Sequence, residues 1–283
     1  MKKAQLALAL LVVAGTCAQA QVLMLDFGAT AAIANPGNSP YHAANTGFTA
    51  TTWNQVTNVD VGSGLHFADG TAATGVTVSV GGSASASALN VIDLARTPTS
   101  SALGGSSVSN SGIYAANTVG RDGIFMTHAL TGPARNVGSV GVQVGGLAAG
   151  TYDIYISGRN TSLISSSPQE TITAWVGVSS ITGNFDFTDY SSGANNFSGS
   201  TTTASWIEGE NYIKLSVTLT SGQVLNIATS GAGSTGGGST IDERGFLNSV
   251  QIVYTGAIPE PSTWATLCGL TVLAGAFVLR RRR

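Results

Sequence analysis

The chain has 283 residues and a formal net charge of −2, yet charged residues make up only 9% of it, far below the ~25% usual for soluble domains. Six of the twelve bases sit at the two ends, so residues 21–257 carry thirteen acids against six bases, a net of −7. One lysine and no basic cluster in that stretch exclude nucleic acid and anionic lipid as its partners.

Lys2 and Lys3 precede an apolar stretch from Ala4 to Ala14, and Ala18-Gln19-Ala20 puts small residues at the −3 and −1 positions. Residues 1–20 therefore read as a secretory signal helix, removed by signal peptidase before Gln21. Cys17 falls in this segment and Cys268 near the other end, leaving 21–257 without a thiol. Disulfides cannot hold that part despite an oxidising destination. It must rely on a hydrophobic core, and its length is ample for one.

Glycine supplies 37 of the 283 residues, about twice the usual ~7%, which suits short strands joined by many turns. The opening run, Val22 to Phe27, is almost continuously apolar and predicts a strand buried on both sides. Period-two alternation then recurs: Val76, Val78 and Val80; Val140, Val142 and Val144; Tyr152, Ile154 and Ile156; Ile172, Ala174, Val176 and Val178; Ile213, Leu215, Val217 and Leu219. Phe246, Val250, Ile252 and Tyr254 line one side of a closing strand. Glu208-Gly209-Glu210-Asn211 predicts a hairpin turn, and Gly150 closes a turn out of Leu147-Ala148-Ala149. Gly81–Ser111 and Ser230–Thr240 are low in complexity and read as loops. One-sided apolar strands must cover each other, so the expected fold is all-β, a two-sheet antiparallel sandwich over 21–257.

Order and composition also resemble the galactose-binding-like jelly rolls. The opening strand ends in Asp26-Phe27-Gly28, and Thr52-Trp53-Asn54 and a Gly70–Val80 segment reading into a strand follow. "GLAAGTYDIYISG" from Gly146 and "GFLNSVQIVY" from Gly245 complete the set. The resemblance implies a jelly roll and glycan binding.

The residues that carry chemistry are sparse. No Gly-x-Ser-x-Gly elbow, zinc helix or phosphate loop is present. His42, His66 and His128 are scattered over loops, and Glu208 and Glu210 share one turn instead of facing across a cleft as glycosidase carboxylates do. Asp186 and Asp189 could offer oxygen ligands to a structural calcium, with Asp60 and Asp69 similar; no other cofactor is implied. The alternation around Trp175 turns its ring outward, where it can stack on a sugar or lie under a loop. Trp53 has the same two readings.

The tail, residues 258–283, has three parts in fixed order: Pro259-Glu260-Pro261, an apolar run over 264–279, and Arg280, Arg281, Arg282 and Arg283. At ~1.5 Å per helical residue the run reaches roughly 24 Å, short of a ~30 Å hydrocarbon core. Trp264 at the interface and snorkelling arginines make up the difference and orient the helix with a cytoplasmic C-terminus. The two prolines keep the motif extended and outside the helix.

This layout resembles the PEP-CTERM sorting signal of Gram-negative bacteria that make extracellular polysaccharide. The resemblance implies recognition by an exosortase-like membrane enzyme that cuts near Pro259-Glu260-Pro261. The protein would then be anchored transiently in the inner membrane before reaching the cell surface or extracellular matrix; a plain membrane anchor is the alternative. The expected role is a non-catalytic structural, adhesive or glycan-binding component associated with exopolysaccharide. The alternative role is a secreted carbohydrate-active hydrolase with catalytic residues dispersed over loops.

Overall fold

Val22–Phe27 forms the first strand, β1, and all six of its residues are buried, as the largely apolar run requires. The computed structural model describes residues 21–29, 33–101, 112–130, 135–160, 170–197, 204–231, 234–235 and 241–257. After β1 come a five-residue helix, α1 (Pro40–Ala44), then β2 (Asn54–Val56), β3 (Thr77–Ser83), β4 (Val91–Asp93) and β5 (Thr99–Ser101). A 3-10 turn at Gly112–Tyr114 leads to β6 (Gly123–Phe125), β7 (His128–Leu130), β8 (Arg135–Gly145), β9 (Gly150–Ser157) and β10 (Glu170–Ser179). The remainder are β11 (Phe185–Asp186), β12 (Ser191–Phe197), β13 (Ile213–Leu219), β14 (Val224–Gly231), β15 (Ser234–Thr235), β16 (Ile241–Arg244), β17 (Phe246–Leu247) and β18 (Ser249–Gly256).

The fold is all-β and sandwich-like. One sheet runs β13-β9-β18-β1-β2, and the larger runs β11-β4-β3-β8-β14-β10-β12. Leu23, Leu25 and Phe27, with Ile154, Ile156, Val250 and Ile252, supply the core from the first sheet. Val78, Val80, Val140, Val142, Val144, Val176 and Ile227 supply it from the second. Each such burial stabilises by ~1.5–3 kcal/mol, so the valine alternation of β3 and β8 is what fixes their register. The last strand lies beside the first, with Val22 opposite Val253 and Leu25 opposite Val250.

β8 and β9 belong to different sheets, so the turn at 146–149 carries the chain from one layer to the other. Gly146 makes that corner at φ 75°, where an added Cβ would strike the Gly75 carbonyl. The Tyr152 hydroxyl closes it by donating to the Ala148 carbonyl at 2.7 Å.

Four expectations need correction. The ladders are not all antiparallel: β2 pairs parallel to β1, and the two are separated in sequence by the long connection that parallel pairing demands. A third, three-stranded sheet, β17-β6-β5, adds to the two layers. Neither low-complexity stretch is one loop: in Gly81–Ser111, β3 continues to Ser83 and pairs with β4, and in Ser230–Thr240, β14 runs to Gly231 and β15 pairs with β16. Glu208–Asn211 does turn, with Gly209 at φ 81°, but residues 204–207 before it form no strand. The signal segment and the whole tail, residues 258–283, lie outside the described residues. Among the described residues no helix is long and apolar enough to cross a membrane.

Candidate functional site

The first sheet is covered on its outer face as well. There Val22, Met24, Tyr155 and Val253 pack against Tyr41, Ala68, Ile113, Tyr114, Trp206 and Tyr212. The covering segment 33–53 is pinned at several points. Trp53 Nε1 donates to the Pro36 carbonyl at 2.9 Å, Trp206 Nε1 to Asn38 Oδ1 at 3.0 Å, and the Tyr41 amide to Gln251 Oε1 at 2.9 Å.

His42 locks the middle of that segment. Its Nε2 lies 2.9 Å from the Ala50 carbonyl and its Nδ1 lies 2.6 Å from the Ser39 hydroxyl. A carbonyl accepts only, so Nε2 carries the proton and Nδ1 accepts from Ser39. Burial holds the ring below its ordinary 6.5, partly offset by the bond to Ala50.

Between α1 with its following turn and residues 67–69 lies an open cleft of about 410 Å³. Tyr41, Phe48 and Phe67 give it ring surfaces, and Asn45, Thr49 and Asp69 give it polar ones. The rings of Tyr41 and Phe48 meet at 4.7 Å and those of Tyr41 and Tyr155 at 5.2 Å, while Phe48 and Phe67 are partly buried. Asn45 Nδ2 donates to the Tyr41 hydroxyl at 3.1 Å. Asp69 Oδ1 accepts from the Thr71 amide and hydroxyl, which holds its carboxyl below the usual range. A second recess of about 250 Å³ adjoins through Gln21 and Phe67 and reaches Leu147 and Tyr152. Among the described residues no basic side chain lines either.

The residues expected to carry chemistry do not converge. Trp175 points out of the core as its register requires, and its ring packs on Phe187 at 4.5 Å in a satellite cluster with Ile92, Phe185 and Tyr190. It lies half-buried against the 185–190 segment, outside the larger sheet. Trp53 is half-buried on the other side of the molecule, against the first sheet. Asp186 directs Oδ1 to the amide and hydroxyl of Thr188 and Oδ2 to Asn90 Nδ2, and it is exposed, as is Asp189. Among the described residues no group of three or more histidines, cysteines or acids is placed to hold a metal. Asp60 receives the Val80 amide at 2.9 Å. The His66 backbone amide donates to Asn54 Oδ1 at 2.7 Å, and His128 Nε2 lies 2.9 Å from the Ser83 carbonyl. Pro259, Glu260, Pro261, Trp264 and Arg280 to Arg283 lie outside the described residues.

One buried polar group was not anticipated. Asp26 and Asp122 are each only 2% exposed, and the Asp122 carboxylate lies against the Cα of Gly28, which sits at φ 125° and has no room for a Cβ. Burial first and the Asp122 charge second push the Asp26 carboxyl up to about 9. Asp26 Oδ1 has no hydrogen-bond partner. Neighbouring buried polar pairs, such as the Ser157 and Ser249 hydroxyls at 2.6 Å, continue this end of the sheet.

These observations define the class: a thiol-free β-sandwich whose first sheet is covered on both faces and carries an aromatic-lined cleft at one end. No protein-family model and no curated protein matches the sequence. Among solved structures, an exo-β-1,3-galactanase from Phanerochaete chrysosporium, crystallised with β-1,3-galactotriose, aligns with 48% of this chain at 17% identity and a TM-score of 0.23. The chain spans 23% of that protein's length. A likeness this slight assigns neither fold nor activity.

Proposed function

We propose that this protein is an exported component of the cell surface or extracellular matrix, sorted through residues 258–283 and associated non-catalytically with exopolysaccharide. The observation that carries the reading is the pairing of the first and last strands. Val22 lies opposite Val253, so both ends of the sandwich leave it at one pole and its ladders are complete at Gly256. The core residues described above all lie between Val22 and Val253. A domain of this kind can fold while tethered at the membrane and keep its fold when cut free.

The non-catalytic part rests on how the ionisable groups are used. Asp186, Asp69 and Asp60 hold backbone turns and strand ends, and Asp153 pairs with Lys214 at 2.9 Å. The hydrolase alternative would need two carboxyls flanking an open cleft. Asp26 does retain its proton beside Asp122, but both residues are sealed from solvent. A test combines binding and hydrolysis on the same polysaccharides: retention without product release supports the proposal, and release of reducing ends overturns it.

A further inference from the structure

From the cleft between α1 and residues 67–69, we infer that its ligand is a neutral hexose chain; this rests on the glycan-associated role proposed above and names the site for it. A hexose presents an apolar face of C–H groups ringed by hydroxyls, and recognition requires flat apolar surface beside well-placed polar groups. The cleft has both. Phe48 and Phe67 expose part of their rings, and Tyr41 braces Phe48 from behind at 4.7 Å. Asn45, Thr49 and Asp69 stand at the rim, and Asp69 keeps Oδ2 available because Thr71 engages Oδ1.

Rigidity favours the same conclusion, since a weak site gains from ordering that is already complete. The cleft wall is held by the Ser39–His42–Ala50 relay and by the Tyr41 amide on Gln251. The Phe48 amide also donates to the Asn45 carbonyl at 3.0 Å. Charge selects among saccharides. Among the described residues no basic side chain lines the cleft, Asp69 brings a carboxylate to it, and residues 21–257 carry a net of −7. Uronate or sulfated chains are repelled and neutral chains are not. The adjoining recess at Gln21 and Phe67 gives room for a chain to continue instead of ending at one sugar.

The test is native affinity electrophoresis of the full chain in a sugar-free zwitterionic detergent. The gels would contain a neutral glucan, a neutral galactan or acidic alginate. The wild type should be retarded by a neutral chain and not by alginate. Phe48→Ala and Asp69→Asn should each weaken that retardation by on the order of tenfold, and Trp175→Ala should leave it unchanged. Asp69 is exposed, so its variant keeps the test valid if Phe48→Ala does not fold. Neutral-chain retardation unaffected by either cleft variant would place the ligand elsewhere and overturn this inference while leaving the parent role standing. Absence of retardation by every chain, alginate included, would instead overturn the parent role. Preference for alginate would overturn the ligand class. A dimer that dissociates with Phe48→Ala would assign the cleft to a second copy of the chain and overturn the inference.

Discussion

Tyr254 donates its backbone N–H to the Gln21 carbonyl at 2.9 Å, one rung beyond the Val22–Val253 pair. The first and last described residues thus lie at the same pole, and the ladder is finished before the tail begins. Residues 21–257 alone should fold as the sandwich, and equally well in reducing buffer because they contain no thiol. Circular dichroism should show sheet with far less helix than the ~30–35% of an average domain. A helical fraction above about a fifth would contradict the fold.

Asp26 makes stability fall as pH rises. Its carboxyl sits at about 9 when folded against an ordinary 3.8, so the folded chain keeps a proton that the unfolded chain releases. The stabilisation is fully present below about pH 4 and declines through neutrality toward pH 9. Asp26→Asn, which cannot ionise, should melt progressively higher than wild type as the buffer moves from pH 5 to pH 9. Parallel melting curves would refute the assignment.

His42 acts in the opposite sense. Its folded-state value lies below 6.5, so the unfolded chain takes up a proton first, and stability is lost as pH falls beneath 6.5. Protonation would also remove the acceptor for Ser39. An NMR titration of His42 should have its midpoint below 6.5, and His42→Gln should flatten the acid-side loss. A midpoint at or above 6.5 would exclude the buried, neutral tautomer.

Trp175→Ala should cost about 2 kcal/mol in urea unfolding, below the ~3–5 kcal/mol of a fully buried aromatic, because the ring is half-buried on Phe187. An unchanged midpoint would mean that the contact with Phe187 contributes nothing.

The strand-level fold was legible because valine and isoleucine alternation has one physical reading: a face that must be covered. Val78, Val142, Ile154 and Ile252 all sit where that alternation puts them. β4 and β5 were hidden, since Ile92 is the lone fully buried apolar residue of β4 in a serine-rich stretch. The parallel β1–β2 pair joins strands far apart in sequence, which no local pattern encodes. The cleft was missed for a similar reason. Tyr41, Phe48 and Phe67 lie apart in the chain, and no motif joins them. Asp26 was read as the end of a strand, and nothing local to it signals a second buried acid 96 positions away.

The sorting claim is tested most directly by intact-mass spectrometry of the protein recovered outside the cell. The mass should correspond to a chain starting at Gln21 and ending close to Pro259-Glu260-Pro261. An extracellular species that still carries Arg280 to Arg283 would contradict it and leave residues 258–283 as a simple membrane anchor.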